Sequence, residues 1–376
     1  MTIKRNTVLF ASVLGVLLLT FTIYSCTQKK GNQAESVQKT AMTESSSGDE
    51  QLLTDARKVF STLPDTIQNP NNKVTPQKVA LGKMLYYDTR LSKSNTISCN
   101  SCHNMASYGV DNNFNSLGHG WKLGGRNSPT VLNSALDIAE FWDGRAKDVE
   151  GQAKGPILNP VEMGMPGQSV AIERISTIPE YIELFKKSFP EGDNKVTYDN
   201  IANAIGAFER TLTTPSRFDK FLNGDTNALT AQEKTGLKMF MDVGCSKCHT
   251  GAAIGGQMYQ KFGLVNGPYW KYTNSDHQDE GRYKITNQQS DKYVFKVPIL
   301  RNIAHTYPYF HDGSVWDLSK AVDIMGETQL GRKLTESETN DIIAFLKSLT
   351  GTIPEDALKL PILPPSTSQT PKPHID

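Results

Sequence analysis

The chain has few cysteines, only five in 376 residues. Four of them stand in two short motifs, and the fifth, Cys26, lies near the amino terminus. This count excludes a small scaffold held together by many disulfides. If the two motifs use their four cysteines for another purpose, no disulfide is expected within the mature protein.

Excess charge, long apolar runs and strand signals are also scarce. The formal net charge is only +1 and the basic residues are scattered, which argues against nucleic acid as a partner. The apolar run at residues 8–23 is too short for a comfortable membrane span. Few segments alternate as strands do, the clearest being DKYVFKVPIL, so the sequence predicts a mainly α fold.

The amino terminus has the features of a secretory signal. Lys4 and Arg5 precede the apolar run, and the run ends in IYSC, which looks like a bacterial lipobox. We expect a signal peptide at residues 1–25, cleavage before Cys26 and acylation of its thiol. An ordinary signal peptide with an idle cysteine and a signal anchor are the alternatives. Residues 26–54 are predicted to be a polar, flexible tether, which would hold the protein at a membrane surface in the bacterial periplasm.

Two copies of one motif carry most of the chemistry. Residues 97–103 read ISCNSCH, and residues 244–249 read GCSKCH. Two thiols three positions apart with an adjacent imidazole are what covalent c-type haem attachment requires. The alternative is one zinc ion held by all four cysteines, which would leave both histidines without a role. The sequence therefore predicts two c-type haems, attached and ligated by Cys99, Cys102, His103, Cys245, Cys248 and His249.

The chain also repeats itself around these motifs. TPQKVALGKMLYYD precedes the first and TAQEKTGLKMFMDVG the second, and both read as capped amphipathic helices. A later helix with the pattern A-F-x-x-x-L follows each motif, at residues 198–212 and 336–349. This order is typical of a cytochrome c domain. We expect a first haem domain at residues 55–215 and a second at 216–351.

The sixth ligand of each haem decides what it can do, because a haem with both axial sites filled transfers electrons. Met325, predicted to lie in a loop before the last helix, is the candidate at the second haem, with Met258 as its competitor. A core methionine is the plainer interpretation of either. His119 stands in a glycine-rich loop after the first motif, where it is either a removable ligand or a surface histidine.

Residues 121–166, WKLGGRNSPTVLNSALDIAEFWDGRAKDVEGQAKGPILNPVEMGMP, make the interpretation more specific. With both haem motifs, YPYFHDGSVWDL and IMGETQLGRKL, this segment closely resembles the bacterial di-haem cytochrome c peroxidases over roughly residues 55–365. The resemblance implies two cytochrome c-like domains, with the tail at 352–376 folding back on the first. It implies reduction of H2O2 with electrons that enter at the second haem and are used at the first.

The resemblance also implies roles for single residues. Glu162 would be the distal acid–base residue, Gln152 its neighbour, and Trp142 would lie between the haems. His119 would be the removable ligand of the first haem, and Met325 would ligate the second. A calcium ion would lie at the domain interface on Asn127 and the carbonyls of Thr306 and Pro308.

The implied electron donor is a small cytochrome c or a cupredoxin, and the resemblance also admits a homodimer. Two other functions stay open at this point. A di-haem electron carrier would keep His119 bound permanently and would have no use for Glu162. A relative that oxidises tryptophan to tryptophylquinone on another protein has Tyr where Met325 stands.

Overall fold

The computed structural model describes residues 47–374, so the predicted signal peptide, Cys26 and most of the tether lie outside the described residues. Within that range the protein is mainly helical, as predicted. No helix of this range is both long enough and apolar enough to cross a bilayer. The helices are α1 (47–57), α2 (Pro76–Tyr87), α3 (Cys99–Cys102), α4 (Val149–Leu158), α5 (Gln168–Ser176), α6 (Pro179–Ser188), α7 (Tyr198–Glu209), α8 (Arg217–Leu222), α9 (Ala231–Asp242), α10 (Trp270–Thr273), α11 (Tyr283–Thr286), α12 (Leu318–Leu330), α13 (Glu336–Ser348) and α14 (Glu355–Leu358).

Two short strands complete the regular structure. β1 (Tyr259–Lys261) pairs antiparallel with β2 (Val294–Lys296), with Tyr259 opposite Lys296. β2 lies in the segment that alone gave a clear strand signal, whereas β1 gave none. At the amino-terminal end, residues 47–54 of the predicted tether lie in α1, so the structure differs from the predicted tether there.

The helices begin where their capping residues predict. Thr75 accepts a hydrogen bond from the Lys78 amide at 3.3 Å at the start of α2. Thr230 with Glu233 forms a reciprocal capping box at α9, and Thr335 does the same at α13. These side chains satisfy amide groups that have no partner within the first helical turn.

Each half of the chain contains one close helix pair. α2 packs on α7, and α9 packs on α13. A Cβ at Gly82 would lie 1.8 Å from the Ala204 carbonyl oxygen, and a Cβ at Gly236 would lie 1.8 Å from that of Asp341. Only glycine permits such a close backbone approach. The two halves of the chain therefore contain the same kind of close helix crossing.

Aromatic pairs lie next to both crossings. Tyr86 and Phe208 meet edge to face with their ring centroids 5.3 Å apart, and Phe240 and Phe345 meet tilted at 5.3 Å. In each helix the aromatic residue follows the crossing residue by four positions, which places both on one helix face. Glycine and aromatic residues thus hold the helices that frame each haem motif.

The carboxyl-terminal tail returns to the first half of the chain, as predicted. The Tyr87 hydroxyl donates to the Ala357 carbonyl at 2.8 Å. The Arg90 guanidinium donates to the Pro364 carbonyl at 2.8 Å. Further along, the His374 amide donates to the backbone of the same segment, at residue 93. Polar contacts therefore hold the tail along much of its length.

Met325 lies inside α12, and the expectation of a loop at this position was wrong. The helix continues past Gly326. Asp317 caps the amino end, and Gly331 ends the helix with a left-handed φ of 63°. The second glycine, rather than the first, has the conformation that terminates a helix.

Candidate haem and peroxide site

The first haem motif forms a short, well-anchored helix. Ser101 Oγ accepts a hydrogen bond from the Ser98 amide at 3.0 Å, which fixes the first turn of α3. His103 follows directly, and its Nδ1 lies 3.0 Å from the Pro129 carbonyl. A proton held on Nδ1 leaves Nε2 free as a ligand. Burial lowers the pKa of His103, which favours the neutral imidazole that iron binds.

A cavity of about 400 Å³ opens beside this motif. Both cysteines and the histidine lie on its wall, together with side chains that are distant in sequence. It unites seven of the residues that the sequence analysis named, namely Cys99, Cys102, His103, Asn127, Trp142, Gln152 and Glu162. Neither His119 nor any residue of the second motif belongs to this lining.

Glu162 is a carboxylate on this wall that is both held by a hydrogen bond and shifted in pKa. Its Oε1 accepts a hydrogen bond from Asn159 Nδ2 at 2.7 Å, which orients the group. Burial raises the pKa of Glu162, against the opposing effects of Arg145 and Asn159. A carboxyl group whose pKa moves toward neutrality is better suited to take up and return a proton. Gln152 reaches the same cavity from α4, whose amino end is capped by Asp148.

His119 contacts the backbone of Glu162 and does not line the cavity. Its side chain is buried, with 5% of the residue exposed, and its amide donates to the Glu162 carbonyl at 2.6 Å. A Cβ at Gly164 would lie 2.8 Å from the His119 ring, so the ring rests directly on that glycine. His119 Nδ1 is buried and has no hydrogen-bond partner. The polar ring is therefore packed without using this nitrogen, which is unfavourable unless another group satisfies it.

Trp142 joins the two halves of the chain. Its indole Nε1 donates to the Asn127 carbonyl at 2.9 Å, and its own carbonyl accepts from the Lys296 amide at 2.8 Å. Its ring lies edge-on to His311, with centroids 6.2 Å apart. It packs against an apolar cluster of the second half that also borders Met325. The location of Trp142 between the haems stays a prediction.

The second motif forms a single 3₁₀ turn, Cys245–Lys247, after a left-handed Gly244 that ends α9. Burial lowers the pKa of His249 to about 4, against the opposing effect of the backbone at Ile254 and Pro298. Its Nδ1 is buried and makes no hydrogen bond. Met325 and Met258 are both half-buried, so the choice between them stays a prediction.

The residues predicted to bind calcium lie on connected segments. The Asn127 side-chain amide donates to the Asn113 carbonyl at 2.9 Å. The neighbouring Asn112 donates to the Tyr307 carbonyl at 2.7 Å, between the predicted ligands Thr306 and Pro308. On the same loop, Asn115 Oδ1 is buried without a hydrogen-bond partner. The calcium ion itself stays a prediction.

Several cavity residues were missed by sequence reasoning, among them Arg145, Glu140 and Glu209. Arg145 lies over the Phe141 ring at 3.5 Å and within electrostatic reach of Glu162. Glu140 and Glu209 complete the wall and are buried. A direct alignment of the two A-F-x-x-x-L helices would have found Glu209, because Leu346 stands at its position in the second.

These features fit covalently bound haem. All four motif cysteines are free thiols. Each pair has its histidine beside it, and the ring of His249 keeps an unpartnered buried nitrogen. Within residues 47–374, no group of three or more His, Cys, Asp or Glu side chains could hold a metal, which argues against the shared zinc site. The fold and both sites therefore define a di-haem cytochrome c protein.

Comparison with known proteins narrows the class to a family. Residues 76–227 match the model of the di-haem cytochrome c peroxidases, and residues 233–350 match that of cytochrome c. The chain is 49% identical to a cytochrome c551 peroxidase of Pseudomonas aeruginosa over 320 residues, covering 85% of this chain and 91% of the relative. It is 50% identical over 307 residues to a cytochrome c551 peroxidase of Nitrosomonas europaea, covering 81% and 89%.

A solved structure agrees with these sequence matches. A MauG-like protein associated with microbial copper homeostasis superimposes with a TM-score of 0.71 at 28% identity, covering 80% of this chain and 97% of that one. The chain belongs to the di-haem cytochrome c peroxidase family and is an oxidoreductase of that family.

Proposed function

We propose that the protein reduces hydrogen peroxide to water, taking electrons in at the second haem and using them at the first. The observation that carries this proposal is the cavity beside the first motif. It places the thiols and the imidazole of a haem site on one wall with Glu162 and Gln152. A carboxyl group and an amide in one enclosed space can move a proton and hold a small polar substrate.

The bound haems supply an iron that binds peroxide and a store of single electrons. Cys99, Cys102 and His103 hold the first, and Cys245, Cys248 and His249 hold the second. Glu162 accepts a proton from one peroxide oxygen and returns it to the other, so that the leaving oxygen departs as water. Asn159 fixes the carboxylate for this task through its 2.7 Å hydrogen bond. Gln152 donates a hydrogen bond from its amide to the substrate.

His119 regulates access to the first haem. Its ring rests on Gly164 and its amide is bound to the Glu162 carbonyl, so a shift of this loop moves both the ligand and the turn that bears the acid–base residue. Gly120, with φ of 65°, supplies backbone freedom beside it. With both haems bound, His119 would be the group that closes the first site to peroxide in the oxidised protein and opens it after reduction of the second.

His249 and Met325 would hold the second haem, where electrons would enter. Thioether ligation raises a haem potential and would favour electron acceptance there. Trp142 lies between the halves of the chain, with its backbone bound to Lys296, and would couple the two haems. The donor is a small cytochrome c or cupredoxin, and the protein acts in the periplasm, anchored through acylated Cys26.

A calcium ion stabilises the interface between the two domains. Asn127, Thr306 and Pro308 supply one amide oxygen and two carbonyl oxygens, and Asn115 offers another buried oxygen on the adjacent loop. Few protein ligands, completed by water, suit an ion of modest affinity. Because Asn127 also accepts the indole hydrogen bond of Trp142, ion binding affects the contact between the haems.

The experiment that tests the function is a turnover assay with a reduced small cytochrome c. We expect two molecules of cytochrome to be oxidised for each H2O2 consumed. A protein that exchanges electrons with the cytochrome but consumes no peroxide would be a di-haem electron carrier instead. Peroxide consumption that is coupled only to oxidation of protein tryptophan would indicate the tryptophylquinone-forming alternative.

A further inference from the structure

Two glutamates on the wall of the first cavity have no part in the mechanism above. Glu140 lies two residues before Trp142, and Glu209 is the last residue of α7. Both line the cavity, and they are only 6% and 5% exposed. Ionised carboxylates are seldom buried to this degree without a partner, because the loss of hydration is costly.

The cations near this pair are already engaged. The Arg210 guanidinium makes two hydrogen bonds to Glu150, at 2.8 and 2.7 Å. The Lys296 ammonium contacts Asp137 directly, whereas Glu140 Oε2 is 3.9 Å away. Four carboxyl groups, on Asp137, Glu140, Glu150 and Glu209, thus share two cations. Glu140 therefore has only a long contact with Lys296, and Arg210, which acts on Glu209 electrostatically, is already paired with Glu150.

Glu209 is the more isolated of the pair. No hydrogen bond or ion pair from residues 47–374 reaches its side chain, and its charged or ionisable neighbours are Glu140, Glu150, Arg210, Tyr86 and Cys99. Burial, followed by the charges of Glu140 and Glu150, raises its pKa well above the usual value.

Glu140 is shifted in the same direction. Burial raises the pKa of Glu140 to about 8, and Lys296 is the largest opposing influence. Asp137, Arg210 and Asp148 also act on it electrostatically. Both shifts are in the direction that favours the neutral carboxyl group.

The second haem domain differs at the matching position. In the aligned helices AFERTL and AFLKSL, Glu209 corresponds to Leu346. Leu346 is equally buried, at 4% exposed. The buried acid is therefore not required by the helix crossing, which both domains share. It belongs to the domain that, by the proposed function, consumes protons.

We propose that Glu140 and Glu209 form a proton reservoir for the first haem cavity, holding protons at rest and releasing them as peroxide becomes water. This inference rests on the proposed function. Reduction of H2O2 to two waters consumes two electrons and two protons. Glu162 only carries a proton from one oxygen to the other, so both added protons need another source. In each release a carboxyl O–H bond breaks and an O–H bond of water forms, and solvent then reprotonates the carboxylate.

Redox titration of the intact di-haem protein between pH 6 and 9 tests the reservoir without turnover. Below about pH 8 we expect Glu140 and Glu209 both to be protonated and neutral. The reduction potential of the first haem should then not change with pH. Above that value a carboxylate forms and disfavours the added electron, so the potential falls. One proton per electron corresponds to about 59 mV per pH unit.

Glu140→Gln is expected to remove the fall that begins near pH 8, and Glu140→Gln with Glu209→Gln to leave the potential flat to pH 9. The second haem, with Leu346 at the matching position, is the control within the same molecule and should be unaffected. Exposed Glu180→Gln on α6 is the control substitution. An unchanged slope in the double variant would overturn the proposal.

Infrared difference spectroscopy gives a second readout, in case the double variant does not fold. Wild type at pH 7 should show the carbonyl stretch of a buried protonated carboxyl group, shifted in D2O and missing in Glu209→Gln. Its absence from wild type would equally overturn the reservoir. If the protein turns over peroxide but shows neither the pH-dependent potential nor the infrared band, the proposed function holds and the reservoir is wrong. If it shows both but has no peroxidase activity, the reservoir groups are present and the proposed function is wrong.

Discussion

The two haem domains use one scaffold and differ in the wall around the haem. In both, a glycine of the first helix meets the backbone of the last, at Gly82 with Ala204 and at Gly236 with Asp341. In both, an aromatic pair closes the same crossing at the same separation of 5.3 Å. The helix crossing therefore stabilises the fold of both domains and does not account for a difference in their chemistry.

The chemistry resides in side chains that only one domain possesses. The first cavity is lined by Glu162, Gln152 and Glu209 beside its haem motif. At the second haem, Leu346 replaces the buried acid and Met325 is the proposed sixth ligand. A cavity with proton-bearing groups suits bond breaking, whereas a haem with two protein ligands suits electron transfer. By the proposed function, a few substitutions on a shared fold separate these tasks.

The largest effect is expected at the acid–base residue. Glu162→Gln keeps the shape and the contact with Asn159 but cannot accept a proton. We expect peroxidase kcat/KM to fall by about 10²–10⁴-fold, the usual contribution of general acid–base catalysis. Glu180→Gln, exposed on α6, should be without effect. Near wild-type turnover in Glu162→Gln with both haems bound would remove Glu162 from the mechanism.

The next effect concerns the ionic contact between the domains. Although burial alone would raise it, the Arg126 hydrogen bonds and charge hold the pKa of Asp279 well below its usual range. A carboxyl group with a lowered pKa contributes its full stabilisation of the folded state above its unfolded pKa of about 3.9. That stabilisation is lost progressively as the pH falls below this value. Arg126→Gln should lower stability at pH 7 by about 3–5 kcal/mol, the cost of breaking a buried pair. Denaturant titrations at pH 7 and pH 3 measure this, and an equal loss at both would contradict it.

The shared crossing can be tested by matched substitutions. Gly82→Ala and Gly236→Ala each force a methyl group into a carbonyl oxygen 1.8 Å away. Each should cost about 1–3 kcal/mol of unfolding free energy through overpacking. Gly125→Ala, where no atom lies within 4 Å, is the control and should cost little. If only one of the two helix substitutions destabilised the protein, the crossings would not be equivalent.

The smallest effect is expected at the second haem. Met325→His replaces a thioether with an imidazole and should lower the potential of that haem alone, because the thioether favours ferrous iron. Electron entry from the donor should slow in proportion. Met258→Leu is the matched control. Unchanged potentials in Met325→His, or a shift in Met258→Leu, would assign the ligand differently.

The sequence predicted the scaffold well because its signals are local. Thr75, Thr230 and Thr335 are each recognisable as N-caps from the residues that directly follow them. The helices α2, α9 and α13 begin at these positions. Met325 shows the limit of such signals. It was expected in a loop, but α12 includes it and continues to Leu330, and Gly331 ends the helix.

The cavity could not be predicted from local patterns. Glu162, Gln152 and Trp142 each have an ordinary sequence context, and only the resemblance to a known family singled them out. Glu140 lies beside Lys296 across 156 positions, a contact that no periodicity reveals. β1 was missed for the same reason, since its three residues become a strand only through pairing with β2.

The division of labour between the haems is tested most directly by rapid mixing with H2O2, comparing fully oxidised with half-reduced protein. In the half-reduced state the single electron should reside on the second haem, with His119 released from the first. We predict that this state reacts rapidly, that the second haem then loses its electron, and that the fully oxidised protein is slow. His119→Gly should react rapidly in both states. Equal rates in the two wild-type states, or reaction of peroxide at the second haem, would contradict the account.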